Sequence, residues 1–315
     1  MANSAPRFFT SETIKRKDRS QIVSVKTGIT EIDLHITGLN KKEVSVISGV
    51  PGSGKSSWLS QLALQVVDSG HKVVLYSGEL EESRVYDWLE LQAAGKWNTK
   101  KHPNYENFYY VSGNSIRDDI RAWLAQKLFI YNNEYGSGVG ELMDSLEECI
   151  VHKKVDVIIL DNLMSMDIGA DAYDKNDKQS QYMKGLKKFT RENDVHTILV
   201  AHPRKAMGFL RRDDISGTSD LVNLADNLFV IHRVNADFKR LSKATFGWKV
   251  DSTIYNYDNV IEICKNRDFG VQDYFVGLYY EKETKRFKNT QDEERHYGWE
   301  REITEDTQYK LPFDL

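Results

Sequence analysis

The sequence predicts an α/β protein with a mostly parallel central sheet and antiparallel strands added toward its C-terminal side. Three observations carry this. Short continuous apolar runs alternate with segments of helical spacing over most of the 315 residues, the pattern of strands covered on both faces by helices. The segment Gly49-Val50-Pro51-Gly52-Ser53-Gly54-Lys55-Ser56 matches G-x-x-x-x-G-K-[ST] and lies between such a strand and such a helix. After Arg233 the alternation stops, and two β-rich runs follow.

Taken in order, the chain opens on a charged arm, residues 1–21, with Arg7, Lys15, Arg16, Lys17 and Arg19. It reads either as a solvated arm or as a segment that docks on a neighbouring subunit. The domain is placed at 22–290, and an acidic, flexible tail at 291–315. Val44-Ser45-Val46-Ile47 predicts a strand over Glu43–Ser48, and the helical spacing of Ser57–Ala63 a helix over Lys55–Ser69. Val73-Val74-Leu75-Tyr76 predicts a strand over Lys72–Ser77. A helix over Glu82–Ala94 follows, with Glu81 and Glu82 favouring its N-terminal dipole. Further strands are expected at Phe108–Ser112, Val155–Leu160, Val195–Ala201 and Asn227–His232, and helices at Ile116–Tyr131, Gly140–His152, Gln179–Asn193 and Thr218–Asp226. Val234–Asn259 reads as an irregular insertion. The late runs Val260–Lys265 and Tyr274–Tyr280 extend the sheet antiparallel.

Composition narrows the setting. Hydrophobic residues make up 40% and charged residues 29%, and no stretch approaches the ~20 consecutive apolar residues a membrane span needs. The N-terminus has no apolar secretory core, and Glu12 and Asp18 argue against a transit peptide. Cys149 and Cys264 fall in a helix and a core strand without metal-ligand spacing, which suits a reducing cytosol. The cytoplasm of a bacterial or phage-infected cell is therefore expected ahead of a mitochondrion. A net charge of −4 gives no global basic footprint, although a pore or loop can carry its own local charge.

The glycine-rich segment implies nucleoside triphosphate binding through Gly49–Ser57. Glycines let backbone N–H groups close around phosphates at a helix N-terminus. Lys55 can reach the β- and γ-phosphates, and the Ser56 hydroxyl can ligate Mg²⁺. The strand Val157-Ile158-Ile159-Leu160 ends in Asp161, a second Mg²⁺ ligand. Asn162 follows where many ATPases carry a glutamate, so the group that orients water must come from elsewhere. Glu79, at the end of the neighbouring strand, is best placed for it. His202 ends the strand Ile198–Ala201 and reads as a γ-phosphate sensor for the loop Pro203–Asp214, which carries Arg204, Lys205, Arg211 and Arg212.

These residues resemble the helicase domain of the DnaB family, a RecA-like P-loop NTPase, and within it most closely the Twinkle and phage primase-helicase branch. The likeness runs from about Thr27 to Phe287. It rests on Lys26–Asp33, the Glu79 segment, Val157–Leu163, Lys187-Lys188-Phe189 with His202-Pro203-Arg204-Lys205, Ile215–Asp220 with Ala225-Asp226-Asn227, Cys264–Arg267, and Tyr280–Thr284. The resemblance implies a homo-hexameric ring that hydrolyses ATP and translocates 5′→3′ on single-stranded DNA. It implies that Arg267, helped by Lys265, reaches the γ-phosphate held by a neighbouring subunit, and that Arg233 and Tyr280 sandwich the base. Arg204, Lys205, Ser216, Gly217 and Thr218, with Arg211 and Arg212 on charge alone, would grip DNA phosphates.

The chain departs from the family in two ways. Only about forty residues precede the domain, so a separate primase is the expected partner. The tail Gln308–Leu315 resembles a short hydrophobic peptide that docks on a polymerase or a sliding clamp. Two other readings stand beside the helicase. One is a RecA-like ATPase that remodels DNA–protein complexes without unwinding, and the other is a nucleotide-switch loader or adaptor.

Overall fold

The structure, a computed structural model, describes residues 8–14, 24–136, 138–162, 175–203, 209–215, 219–247 and 250–300. Helix α1 (Thr30–Ile36) precedes β1 (Val44–Gly49) and α2 (Lys55–Asp68). Next come β2 (Val73–Ser77), α3 (Glu82–Ala94), the short strands β3 (Thr99–Lys101) and β4 (Tyr109–Val111), α4 (Asn114–Leu124) and β5 (Leu128–Ile130). The second half runs α5 (Val139–Lys153), β6 (Val157–Asp161), α6 (Lys175–Glu192), β7 (His196–Val200), α7 (Ser219–Leu224) and β8 (Asn227–Arg233). It closes with α8 (Ala236–Phe246), β9 (Asn259–Asn266), β10 (Tyr274–Glu281) and β11 (Arg286–Lys288).

Strands β1, β2, β6 and β7 are buried along their whole length, which is why they read as continuous rather than alternating apolar runs. Successive side chains still take opposite faces. Ile47, Val157 and Ile159 face Trp58, Leu62 and Leu89 of α2 and α3, while Val46, Ile158 and Leu160 face Leu146, Met183 and Leu221 of α5, α6 and α7. The nine-stranded sheet has the order β11-β10-β9-β8-β1-β7-β6-β2-β5. It is parallel from β8 to β5 and antiparallel from β8 to β11. The expected mixed architecture is therefore observed.

Three expectations need correction. The helix predicted over Ile116–Tyr131 ends at Leu124. Gln126 turns with φ 61°, and Leu128–Ile130 pairs with Val73–Leu75 as the edge strand β5. The insertion Val234–Asn259 is not irregular, since it holds α8. There the Asn235 side chain accepts from the Phe238 N–H as an N-cap, and Phe238 packs with Val250 and Ile254. The strand around Phe108–Ser112 forms but lies outside the main sheet, paired only with β3.

Packing also continues past the expected domain boundary at residue 290. Tyr297 is fully buried, Trp299 Nε1 donates to the Ala93 carbonyl at 3.0 Å, and the Gly298 N–H donates to Asp68. Residues 301–315, with the expected docking peptide, lie outside the described residues. Among the described residues, no helix is long and apolar enough to cross a membrane.

Candidate functional site

The strand order sets the site. Strand β1 delivers the phosphate loop, and the three strands beyond it, β7, β6 and β2, end at the same edge of the sheet. Each contributes one polar group just past its last residue or at it: His202, Asp161 with Asn162, and Glu79. Ligands bind beyond the carboxyl ends of parallel strands because loops and helix N-termini converge there. The ends are tied together. Ser48 Oγ donates to the Ala201 carbonyl at 2.6 Å, and the Gly78 N–H donates to the Asp161 carbonyl at 2.7 Å.

Within this edge is a cleft of about 880 Å³, lined by the loop Pro51–Ser57 together with Glu79, Asp161, His202, Arg233 and Tyr280. The loop conformation requires glycine at Gly54. Its φ is +102°, and a Cβ there would come within 2.7 Å of the Phe287 ring. Gly49 is equally constrained, because a Cβ would meet the Ile231 carbonyl oxygen at 2.7 Å. Asn259 of β9 donates to the Ser53 carbonyl at 2.8 Å. Gln61 exchanges two hydrogen bonds with the Phe287 backbone. The antiparallel strands thus brace the phosphate loop, a role the sequence alone did not disclose.

Lys55 is nearly buried and folds back on its own loop, donating to the Gly49 carbonyl at 2.7 Å and the Val50 carbonyl at 3.2 Å. Burial pushes its ammonium below the usual lysine range, with Asp161 and Glu79 opposing that shift. Asp161 is buried too, and desolvation followed by the Glu79 charge pushes its carboxyl up to about 6. Glu79 Oε1 accepts from Asn162 Nδ2 and lies 2.9 Å from His202 Nε2. Glu79, Asn162 and His202 thus form one cluster from three adjacent strands, with Asn162 the member the sequence left without a role. Glu82 accepts the Asn133 N–H, and Glu81 precedes α3 without making a side-chain cap.

The donor set fits Mg²⁺. A buried carboxylate, Asp161, beside a lysine and the Ser56 hydroxyl offers hard oxygen ligands next to a place for phosphates, and Mg²⁺ is held by one or two protein oxygens plus phosphate oxygens and water. Among the described residues no larger cluster of metal-ligating side chains occurs.

Arg233 and Tyr280 stand at the cleft mouth, the Tyr280 hydroxyl hydrogen-bonding near Ser57. The sequence did not single out Trp88 and Lys285, which share that mouth; the Lys285 ammonium sits 3.9 Å from the centre of the Trp88 ring. Lys265 and Arg267 are not brought to this cleft. Strand β9 runs antiparallel to β8, so Asn259 lies beside Arg233 at the cleft while Asn266 lies beside Asn227 at the opposite edge. Eight residues of strand separate the two ends by ~25 Å. At that far edge Arg267 donates to the Asn223 and Ala225 carbonyls and pairs with Asp226 at 3.2 Å. Lys265 donates to the Val222 and Asn223 carbonyls. Lys187 adds a third cation on Asp226 at 2.8 Å. Burial, then Arg267 and Lys187, lower the Lys265 ammonium to about 8.

Past His202 the chain makes a bridge between Pro203 and Ile215, so the intervening loop leaves and returns at one point. Arg211 stacks its guanidinium 4.4 Å over the Phe246 ring and pairs with Asp273, while Arg212 is exposed. Arg204, Lys205, Ser216, Gly217 and Thr218 lie outside the described residues.

Comparison with known proteins follows the geometry. Residues 10–208 match the family model described as an AAA domain. The chain is 23% identical over 224 residues to the chloroplastic/mitochondrial Twinkle homolog protein of Arabidopsis thaliana, covering 66% of this chain and 30% of that protein. It is 21% identical over 209 residues to the replicative DNA helicase DnaB of Helicobacter pylori, covering 64% of this chain and 40% of the relative. The chain thus spans well under half the length of these curated relatives. Among solved structures, an ATPase domain solved on its own superposes with a TM-score of 0.67 at 19% identity, over 87% of this chain and 94% of that one. A DnaB-like replicative helicase, solved with its interactions with primase, gives a TM-score of 0.65 at 20% identity, over 84% of this chain and 63% of that one.

Proposed function

The chain belongs to the AAA domain family, and on that premise we propose that it is the ATP-hydrolysing motor of a replicative DNA helicase. It works as a hexameric ring on single-stranded DNA, moving 5′→3′ by analogy with its DnaB relatives. One observation carries the reading. The phosphate loop, Glu79, Asp161 and His202 share one edge of the sheet, while the cations that would complete the reaction, Lys265 and Arg267, occupy the opposite edge. A site so divided is complete only between two copies.

Each side chain then has a task. Lys55 leaves the Gly49 and Val50 carbonyls for the β- and γ-phosphates, and Asp161 and Ser56 hold Mg²⁺, which when bound neutralises phosphate charge. Glu79 orients the attacking water, and Asn162 and His202 fix the direction of its carboxylate. Because His202 runs directly into the loop anchored at Pro203 and Ile215, loss of the γ-phosphate moves that loop. Arg204, Lys205, Ser216, Gly217 and Thr218 act there on DNA phosphates. Arg211, already held by Phe246 and Asp273, anchors the loop while Arg212 faces outward. Arg233 and Tyr280 clasp the base at the cleft mouth. The neighbour's Arg267 stabilises the transferring phosphoryl group, a contribution of ~10³–10⁵ in rate in well-studied cases. A separate primase, and a polymerase or clamp met through the tail, complete its setting in the cytoplasm.

ATP hydrolysis with and without single-stranded DNA, measured beside the mass in solution and unwinding of a forked duplex, tests this. Stimulated turnover and unwinding by a ring, lost in Lys55→Ala, are expected. A monomer whose turnover ignores DNA would overturn the proposal, and stimulated turnover without unwinding would favour a remodelling ATPase.

A further inference from the structure

The two-stranded sheet β3–β4 is a cationic, aromatic hairpin on a chain whose net charge is negative. Between residues 96 and 110 stand the three lysines Lys96, Lys100 and Lys101 against one carboxylate, Glu106, while the whole chain carries −4. The three lysines are exposed. So are Trp97 (74%), Tyr105 (63%) and Phe108 (53%), large aromatic rings that a monomeric surface seldom leaves bare side by side.

The hairpin register explains how they gather. Lys100 lies opposite Tyr110, whereas Thr99 lies opposite Val111 and Lys101 opposite Tyr109. Cross-strand partners share a face, and the faces alternate along each strand. Val111 is buried and Tyr109 packs on the main core, so the face bearing Lys100 and Tyr110 looks outward. One pair further on, the His102 N–H donates to the Phe108 carbonyl at 2.8 Å. The His102 ring then meets Tyr105, Phe108 and Tyr110 at 4.7, 5.3 and 6.4 Å. The outcome is a fixed ladder of aromatic faces flanked by lysines, the combination that takes a phosphate backbone and unpaired bases together. Helix α3 begins at the candidate site and carries the chain ~20 Å from it before the hairpin starts. The hairpin is therefore separate from the loops that follow β7 and precede α7.

We propose that the β3–β4 hairpin is a second binding site for single-stranded nucleic acid, with Tyr105 and Phe108 stacking on bases and Lys100 and Lys101 on phosphates. The inference rests on the reading that this chain works on single-stranded DNA. It is tested on the full chain by fluorescence anisotropy with dye-labelled oligothymidylate and with a duplex of equal length, over a salt series. The double variant Tyr105→Ala/Phe108→Ala should weaken oligothymidylate binding at least about fivefold while leaving duplex binding alone, because paired bases offer no free face. Lys100→Ala/Lys101→Ala should flatten the slope of log affinity against log salt by about 1.4. All four side chains are exposed, so the melting temperature should stay at its wild-type value. Wild-type affinity and slope in both variants would overturn the site. So would an altered mass in solution with affinity per assembled particle unchanged, which makes the hairpin a contact between copies. Loss of DNA-stimulated hydrolysis with these binding differences intact would sink the motor and leave the hairpin site standing.

Discussion

Asp161 is held beside Lys55 and Glu79 in a nearly closed space, and that confinement decides what the cleft can accept. Burial raises its carboxyl and lowers the Lys55 ammonium, so both charged forms gain from a ligand that brings phosphates and a dication at once. His196 is a different case. It is fully buried at the start of β7, its ring between the Asn40 carbonyl and Ser45 Oγ, and burial lowers it to about 4. The unfolded chain takes up a proton near the ordinary histidine value of ~6.5 that the folded chain refuses. Stability from His196 is therefore full above ~6.5 and lost as pH falls through 6.5 toward 4. Glu43, raised to about 7 chiefly by burial, acts with opposite sign: its contribution is present below its unfolded value and lost as pH rises through 7. Urea unfolding of wild type and His196→Gln at about pH 7.5 and about pH 5 separates the two. Wild type should lose about 2 kcal/mol more than the variant on acidification. Equal losses would mean that His196 is protonated in the folded protein.

Among the elements, the phosphate loop is the most constrained. Gly54→Ala must place a Cβ at φ +102° and within 2.7 Å of Phe287, so β11 has to move from Gln61. A loss of roughly 1–3 kcal/mol in unfolding free energy is expected, together with weakened nucleotide binding. Calorimetry with ADP and a urea titration check both, and a variant with wild-type values would show that β11 does not brace the loop. This loop, β1, β2, β6, β7 and the helices between them were legible because burial on both faces writes itself as apolar runs and the loop as a glycine motif. Edge elements were less so. β5 is only half-buried and three residues long, so Leu128–Ile130 continued the helical pattern of α4, and only pairing with β2 revealed it. In α8 the signals were present, an Asn235 cap and Gly247 after the last turn, but the polar composition of the segment masked them. Within the site, Lys55, Asp161, Glu79 and His202 were readable because each stands at a strand end. Asn162, Trp88 and Lys285 depended on the fold, since their partners lie far away in sequence.

At the scale of the whole molecule, the sheet itself separates the two halves of the proposed chemistry. Strand β9 carries Lys265 and Arg267 away from the cleft that its first residue, Asn259, helps to build. No rotamer of Arg267 crosses the ~25 Å that an eight-residue strand spans, so any action of Arg267 on a phosphate is on another copy's phosphate. Its present partners, the carbonyls closing α7 and Asp226, hold it at that edge in position to be presented. Mixing Lys55→Ala with Arg267→Ala subunits tests this most directly, with DNA-stimulated ATP hydrolysis as the readout. Each variant alone should be nearly inactive. The mixture should regain turnover, because an intact Lys55 cleft on one subunit meets an intact Arg267 on its neighbour. A mixture as inactive as its parts, or an Arg267→Ala protein that hydrolyses ATP at the wild-type rate, would contradict a site shared between copies.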